Sequence, residues 1–151
     1  MYYYLNNYSL NNYNLTYRQN DKLVSDIEKA INGEYSAINC YAKLANLTSN
    51  ENQRKQILEI RQDEKRHFQQ FRQIYVSLTG NQPQPKITEE CHDVYLNGLE
   101  LALQDEQRTV DFYLEIADET TNQYIKEVFR RAAADEQNHA VWFLYYFLKA
   151  R

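Results

Sequence analysis

The sequence is poor in the residues that make turns. In 151 residues there are three glycines and two prolines, far too few for the many reversals of a β-sandwich or barrel. It has two cysteines, Cys40 and Cys91, far apart and outside any Cys-x-x-Cys motif. That excludes a thiolate metal knuckle and implies two unpaired thiols in a reducing compartment. No long apolar run exists. The longest, Ala140 to Leu148, spans nine residues, too short to cross a bilayer. The N-terminus has no basic segment followed by an apolar stretch, so it does not read as a secretory signal, and a cytoplasmic location is expected. There is no excess of positive charge either. Seventeen Lys and Arg against 21 Asp and Glu leave a formal charge of −4, which gives no electrostatic case for nucleic acid or an anionic membrane as partner.

What remains is a charged, turn-poor chain, and its apolar residues recur with helical spacing. Residues 1–20 contain six Tyr, six Asn and one charged side chain, Arg18. They carry no helical period and are expected to form a tail, free or draped over the remainder, with residues 21–151 as the folded unit. Helix 1 is expected from about Asp21 to Leu47, and helix 2 from about Glu51 to Val76, with Ser49 or Asn50 as its N-cap. Helix 3 is expected from about Cys91 to Glu119, and helix 4 from about Gln123 to Lys149. The Gly/Pro cluster from Gly80 to Pro85 is the main break. Four amphipathic helices in one chain make an all-α four-helix bundle.

Six polar residues stand on the apolar seams of these helices. Glu34 interrupts the first, Glu64 and His67 the second, Glu106 the third, and Glu136 and His139 the fourth. Burying an isolated carboxylate costs several kcal/mol, and no Lys or Arg lies mid-seam to compensate. A pair of metal ions resolves the conflict. Glu64-x-x-His67 and Glu136-x-x-His139 are i, i+3 pairs, which place both side chains on one helix face. The pattern is also duplicated. Glu34 and Glu106, Glu64 and Glu136, and His67 and His139 are each 72 residues apart, as are Tyr41 and Tyr113, Asp63 and Asp135, and Phe71 and Phe143. One helical hairpin has been repeated.

On these residues, Glu34 with Tyr41, Asp63-Glu64-Lys65-Arg66-His67, Glu106 with Tyr113, and Asp135-Glu136-Gln137-Asn138-His139, the chain resembles the ferritin-like di-iron carboxylate family, and within it the rubrerythrin-like branch. The resemblance covers roughly residues 21–149. It implies a ferritin-like bundle holding two metal ions, iron with manganese as the alternative. Glu64 and Glu136 are implied as bridging ligands, Glu34 and Glu106 as terminal ones, and His67 and His139 as one imidazole per ion. Asp63 and Asp135 are implied as acceptors that orient the histidine of the opposite half. Tyr41 and Tyr113 are placed to hydrogen-bond ligand carboxylates. The second copy departs from the motif at Asn138, where the first has Arg66. Rubrerythrins also carry a further Glu three residues after the helix-3 ligand, where this chain has Thr109, and they append a Cys-rich domain that is absent here. Electrons are therefore expected from a separate donor.

The resemblance implies an oxidoreductase that reduces peroxide or oxygen. A ferroxidase or iron store, and a structural coat-type protein using the Tyr-rich tail, are the alternatives. It also implies a crossover between helices 2 and 3, which must run the length of the bundle. Bringing Glu64 and Glu106 to one height needs roughly 13 extended residues, so helix 2 must end near Tyr75 or helix 3 start near Val94. A linker of that length lets two chains exchange hairpins, and a homodimer is expected. Finally, Ala140 to Leu148 is apolar all round, which predicts that the tail or a second subunit covers helix 4 there.

Overall fold

The computed structural model describes the backbone from residue 6 to 151 and the side chains of Arg18 and residues 20–151. Four helices make up the described residues: α1 (Asn6–Leu47), α2 (Glu51–Thr79), α3 (Tyr95–Glu119) and α4 (Gln123–Ala150). Residues 1–5 of the expected tail lie outside the described residues. Helix α1 begins at Asn6 rather than near Asp21. Asn and Tyr are only indifferent helix formers, but no Gly or Pro precedes Asp21 to stop a helix that continues backwards from it.

Within each hairpin the turn chemistry is local. The Asn50 side chain caps α2 by accepting from the backbone N–H of Asn52 and Gln53, and Asn122 caps α4 by accepting from Ile125. These caps satisfy donors that a helix start leaves orphaned. Replacing Asn50 by Ala should cost about 1 kcal/mol of unfolding free energy, measurable as a shift in the urea midpoint with an unchanged m-value. Helix α2 ends at Gly80, whose φ of 73° lies in the left-handed region and whose N–H closes the last turn on Val76. A side chain there would be strained.

The segment from Gly80 to Val94 is a non-helical strap that runs up the bundle alongside α1. Lys86 N–H donates to Asn32 Oδ1 and Thr88 N–H to Ser36 Oγ, and Lys43 pairs with Asp93. Both sequences ascend together, so the strap is parallel to α1 and α2 is parallel to α3. This is the crossover arrangement. Of the two ways to make room for it, the chain uses the late start of α3, four residues after the periodicity alone suggests. At its top, α3 comes so close to α1 that a Cβ on Gly98 would stand 2.7 Å from Leu44 Cδ1.

The strap also overturns the cysteine reading. Cys40 and Cys91 are joined in a disulfide. They are 51 residues apart in sequence, and only the return of the strap along α1 makes them neighbours. The step from single thiols to a reducing compartment therefore falls. Among the described residues no helix is long and apolar enough to cross a membrane.

The core lies in two layers. One contains Ile27, Ile31, Phe71, Ile74, Tyr113, Ile116 and Phe129. The other contains Tyr41, Leu44, Ile57, Ile60, Leu99, Phe143 and Tyr146. The duplication is visible in the packing. Phe71 meets Tyr113 at a ring separation of 5.2 Å, and its counterpart Phe143 meets Tyr41 at 5.0 Å. The cover expected over the end of α4 is not supplied by the described residues, for Val141 and Leu148 are about 60% exposed (62% and 58%) and Leu144 and Tyr145 are also open. Among the described residues of the single chain, the run buries only the side facing the bundle, here Ala140, Phe143 and Tyr146.

Candidate metal centre

Between the two apolar layers the seams carry charge. Glu34, Glu64, His67, Glu106, Glu136 and His139 are all at most 3% exposed. Each comes from the position where its helix would otherwise present an apolar residue to the bundle axis. They form two overlapping quartets, Glu34, Glu64, His67 and Glu136 in one, and Glu64, Glu106, Glu136 and His139 in the other, with the ligand atoms of each within 4.8 Å of one another. Glu64 and Glu136 belong to both. His67 Nδ1 lies 2.9 Å from Glu136 Oε1 and 3.5 Å from oxygens of Glu34 and Glu64. His139 Nδ1 lies 2.9 Å from Glu64 Oε1 and 3.5 Å from Glu106 Oε2.

Six of these atoms are buried without a hydrogen-bond partner: both oxygens of Glu64, one each of Glu106 and Glu136, and Nδ1 of both histidines. Native interiors leave very few such atoms, and each costs its desolvation free energy. Hard oxygens and one imidazole converging on a common centre are the donor set of iron or manganese, and of two ions because the carboxylates at the middle are shared. The residues present therefore fit a di-metal group.

The outward nitrogens are fixed. His67 Nε2 is 3.0 Å from Asp135 Oδ2, and His139 Nε2 is 3.1 Å from Asp63 Oδ2. Each aspartate sits on the opposite hairpin. In the neutral imidazole that metal ligation requires, a proton on Nε2 would leave Nδ1 as the lone pair directed inward. The Tyr41 hydroxyl donates to Glu106 and the Tyr113 hydroxyl to Glu34, which again pairs each residue with the other half. Asn138 does not leave its half unsupported, because Arg66 reaches both aspartates, Asp63 at 2.7 Å and Asp135 at 3.1 Å. One guanidinium serves both copies, and Arg131 adds a second contact to Asp135.

Burial and the nearby carboxylate of Glu64 push Glu34 and Glu136 well above the ordinary carboxylate range. For Glu64 burial acts in the same upward direction but is outweighed by His139 and His67, and the group is lowered. Burial pulls both histidines down, but the surrounding carboxylates outweigh it and raise them far above their ordinary value. Asp105, beside Glu106, is pushed up to about 8 by burial and by Glu89 of the strap.

These shifts set a pH slope for the metal-free chain. Groups raised in the folded state contribute stability that is full below their unfolded values, about 4.5 for Glu and 6.5 for His, and is lost as pH rises through the folded ones. Glu34, Glu136, Asp105 and both histidines all act in this sense. Glu64 and Asp135, which are lowered, titrate in the acid range and add no slope near neutrality. The melting temperature of the metal-free protein should therefore fall between about pH 5.5 and 8. Metal binding requires deprotonated ligands, so the metal-bound protein should show the opposite slope, and thermal melts across that range check both.

A cavity of about 180 Å³ reaches this centre from the side of α1, α3 and the strap. Its walls include Glu34, Glu64, Glu106 and Glu136, with Thr88, Glu89, Asp105 and Thr109 on the same cavity. Sequence reasoning did not single out Glu89 or Asp105. Asp105 corresponds to Gly33 in the first half, so the repeat carries no signal for it, and Glu89 reaches the cavity only through the path of the strap.

A bundle of two crossed-over hairpins with paired Glu/Glu-x-x-His clusters at its middle defines a ferritin-like protein with a di-metal carboxylate centre. Within that class, residues 26–145 match the family model described as Rubrerythrin, and the chain belongs to the rubrerythrin family. It is 55% identical over 142 residues, 94% of its own length and 98% of the other, to the uncharacterized protein YhjR of Bacillus subtilis (strain 168). Two solved structures share the fold. A bacterioferritin from Desulfovibrio desulfuricans, described with its diiron site in different catalytic states, superposes with a TM-score of 0.75 at 20% identity, over 86% of this chain and 80% of that one. A hypothetical protein from Pyrococcus furiosus gives 0.72 at 19% identity, over 83% and 87%.

Proposed function

We propose that this protein is a di-iron oxidoreductase that reduces hydrogen peroxide, or oxygen more slowly, with electrons from a separate donor. The observation that carries the reading is the set of six buried, unpartnered ligand atoms in two quartets sharing Glu64 and Glu136. Two ferrous ions in those quartets would supply the two electrons that cleave an O–O bond. Glu64 and Glu136 would contribute to both ions, Glu34 and His67 to one, and Glu106 and His139 to the other. Asp63 and Asp135 hold the imidazoles in the tautomer that leaves Nδ1 free. Tyr41 and Tyr113 keep hydroxyl protons on Glu106 and Glu34, and burial keeps those phenols from ionising. The cavity has space for a peroxide or a dioxygen molecule and little for a large organic substrate. Mixing the ferrous protein with peroxide and with oxygen at equal concentration, and following oxidation by absorbance, tests the assignment. Faster oxidation by peroxide supports it, and equal or slower oxidation overturns it.

One observation favours a second reading, in which ferrous iron is itself the substrate. Glu89 places a carboxylate on the cavity that leads inward, and Asp105 beside it, raised to about 8, would ionise as a cation approached, which suits the entry of a cation. Retention of iron well above two ions per chain after aerobic ferrous addition would select it.

A further inference from the structure

The strap is held to α1 at successive turns. Asn32 takes Lys86, Ser36 takes Thr88, Cys40 is bonded to Cys91, and Lys43 takes Asp93. The cystine is the one covalent link in this series. The partners on the strap side, Lys86, Thr88 and Asp93, are exposed, so water competes at Lys86 and Asp93, while Thr88 rests on the buried Ser36. With the disulfide open, the stretch from Lys86 to Asp93 is attached by hydrogen bonds and one ion pair that are individually weak, while the buried Pro83 still anchors its start.

The cystine is also reachable. Cys40 and Cys91 are both half-buried, and they border a groove of about 280 Å³ at the protein surface. Ala37, Tyr41, Glu89 and Asp105 wall this groove, and the same four residues line the cavity that leads to the buried carboxylates. The disulfide therefore stands at the rim of the approach to the centre. It is attached on one side to the residue before Tyr41, whose hydroxyl holds Glu106. On the other it is attached to the strap that carries Thr88 and Glu89 over the cavity. Cys40 packs against the edge of the second apolar layer, while Cys91 stands on the strap outside it, so the bond joins the core's rim to the strap rather than two core residues.

We propose that Cys40–Cys91 is a thiol-exchange site, opened by a dithiol reductant, and that its opening releases the strap and widens access to the carboxylate centre. The thiolate of the reductant attacks one cysteine sulfur, the S–S bond breaks, and the other cysteine leaves as a thiolate that takes a proton. The second thiol of the reductant then displaces the first cysteine from the mixed disulfide. The reductant departs as its own disulfide, and Cys40 and Cys91 are left as two thiols, having gained two electrons and two protons. The exchange step stands on the groove and the strap alone, while the access step rests on the metal reading.

The test uses the full-length oxidised protein with dithiothreitol and no denaturant, followed by alkylation and mass analysis. The expected result is that both cysteines become alkylated within minutes, with the far-ultraviolet circular dichroism unchanged. Amide hydrogen exchange at Lys86 and Thr88 should speed up at least tenfold, and reoxidation should restore it. The double variant Cys40→Ser/Cys91→Ser should show the fast exchange without reductant. Alkylation that appears only when the chain is unfolded overturns the proposal, and so does reduction that leaves exchange at Lys86 and Thr88 unchanged. Cobalt(II) uptake, followed by its absorbance, should be at least threefold faster in the reduced protein than in the oxidised one. Equal rates overturn the access step. A chain that takes up no cobalt in either state fails the metal reading and with it the access step, while the alkylation and hydrogen-exchange results still decide the exchange site.

Discussion

Glu64→Ala should bind no metal at all, whereas Glu34→Ala should still bind one ion per chain. The difference follows from membership. Glu64 lies in both quartets and Glu34 in one. Removing Glu64 takes a ligand from each ion and leaves their charges facing one another without the carboxylate between them. Removing Glu34 leaves Glu64, Glu106, Glu136 and His139 complete. The duplication makes the test a set of four. Glu136→Ala should behave as Glu64→Ala, and Glu106→Ala as Glu34→Ala, because the two members of each pair are related by the same 72-residue offset. Metal content after equilibrium dialysis against ferrous or cobaltous ion, with circular dichroism to verify the helices, measures the outcome. Four variants that all lose metal to the same extent, or a Glu64→Ala protein that retains two ions, would contradict shared ligation. Affinity losses for the outer variants are expected to be large even where one ion stays, of the order of 10–100-fold, since the remaining ligands lose a neighbour that orients them.

The centre could be read from the sequence because its residues break a rule in register. A carboxylate or imidazole on an apolar seam is a local conflict, and six such conflicts, four Glu and two His, repeated at one offset point to a single cause. Helix existence was equally legible, and the cap of α2 was narrowed to Ser49 or Asn50, since apolar period and cap chemistry are local. What stayed hidden is what depends on chains meeting. Nothing in the two halves of the sequence says that Cys91 returns to Cys40, because the strap positions it and the strap has no period. Asp105 and Glu89 were invisible for the same reason, one having no counterpart in the repeat and the other standing in an irregular segment. The departure from the motif at Asn138 is met by a shared contact. Arg66 sits where a single guanidinium spans both aspartates, a geometry that spacing along one helix cannot express. The early start of α1 shows the limit of composition, since residues that do not favour a helix also do not end one.

The metal-free protein should be markedly less stable than the metal-bound one, and its weakness should lie in the carboxylates themselves. An ion that binds only the folded chain stabilises it by about 4 kcal/mol at a free concentration a thousandfold above its dissociation constant. Two such sites give about 8 kcal/mol, and for a chain of this length that corresponds to a rise of roughly 15–30 °C in melting temperature. A chelator should reverse it. The metal-free chain meanwhile carries four carboxylates in a space where only two histidines are available to offset them. Burial and repulsion raise Glu136, while Glu64 is held ionised by His139 and His67, so the two carboxylates common to both quartets should respond with opposite signs. Glu136→Gln keeps the shape and removes the cost of holding a buried carboxyl in its neutral form, and should stabilise the metal-free protein near neutral pH by about 1–3 kcal/mol. Glu64→Gln removes the carboxylate on which both imidazoles converge and should destabilise it. Both variants should lose the gain from metal. The net charge of −4 thus contains a part that is not surface charge. These acids are retained against the stability of the empty chain, the cost expected of residues kept for binding rather than for folding. Melting curves of the two variants with and without cobaltous ion decide it, and a Glu136→Gln protein less stable than its parent without metal would show that the buried carboxylates are compensated by something other than an ion.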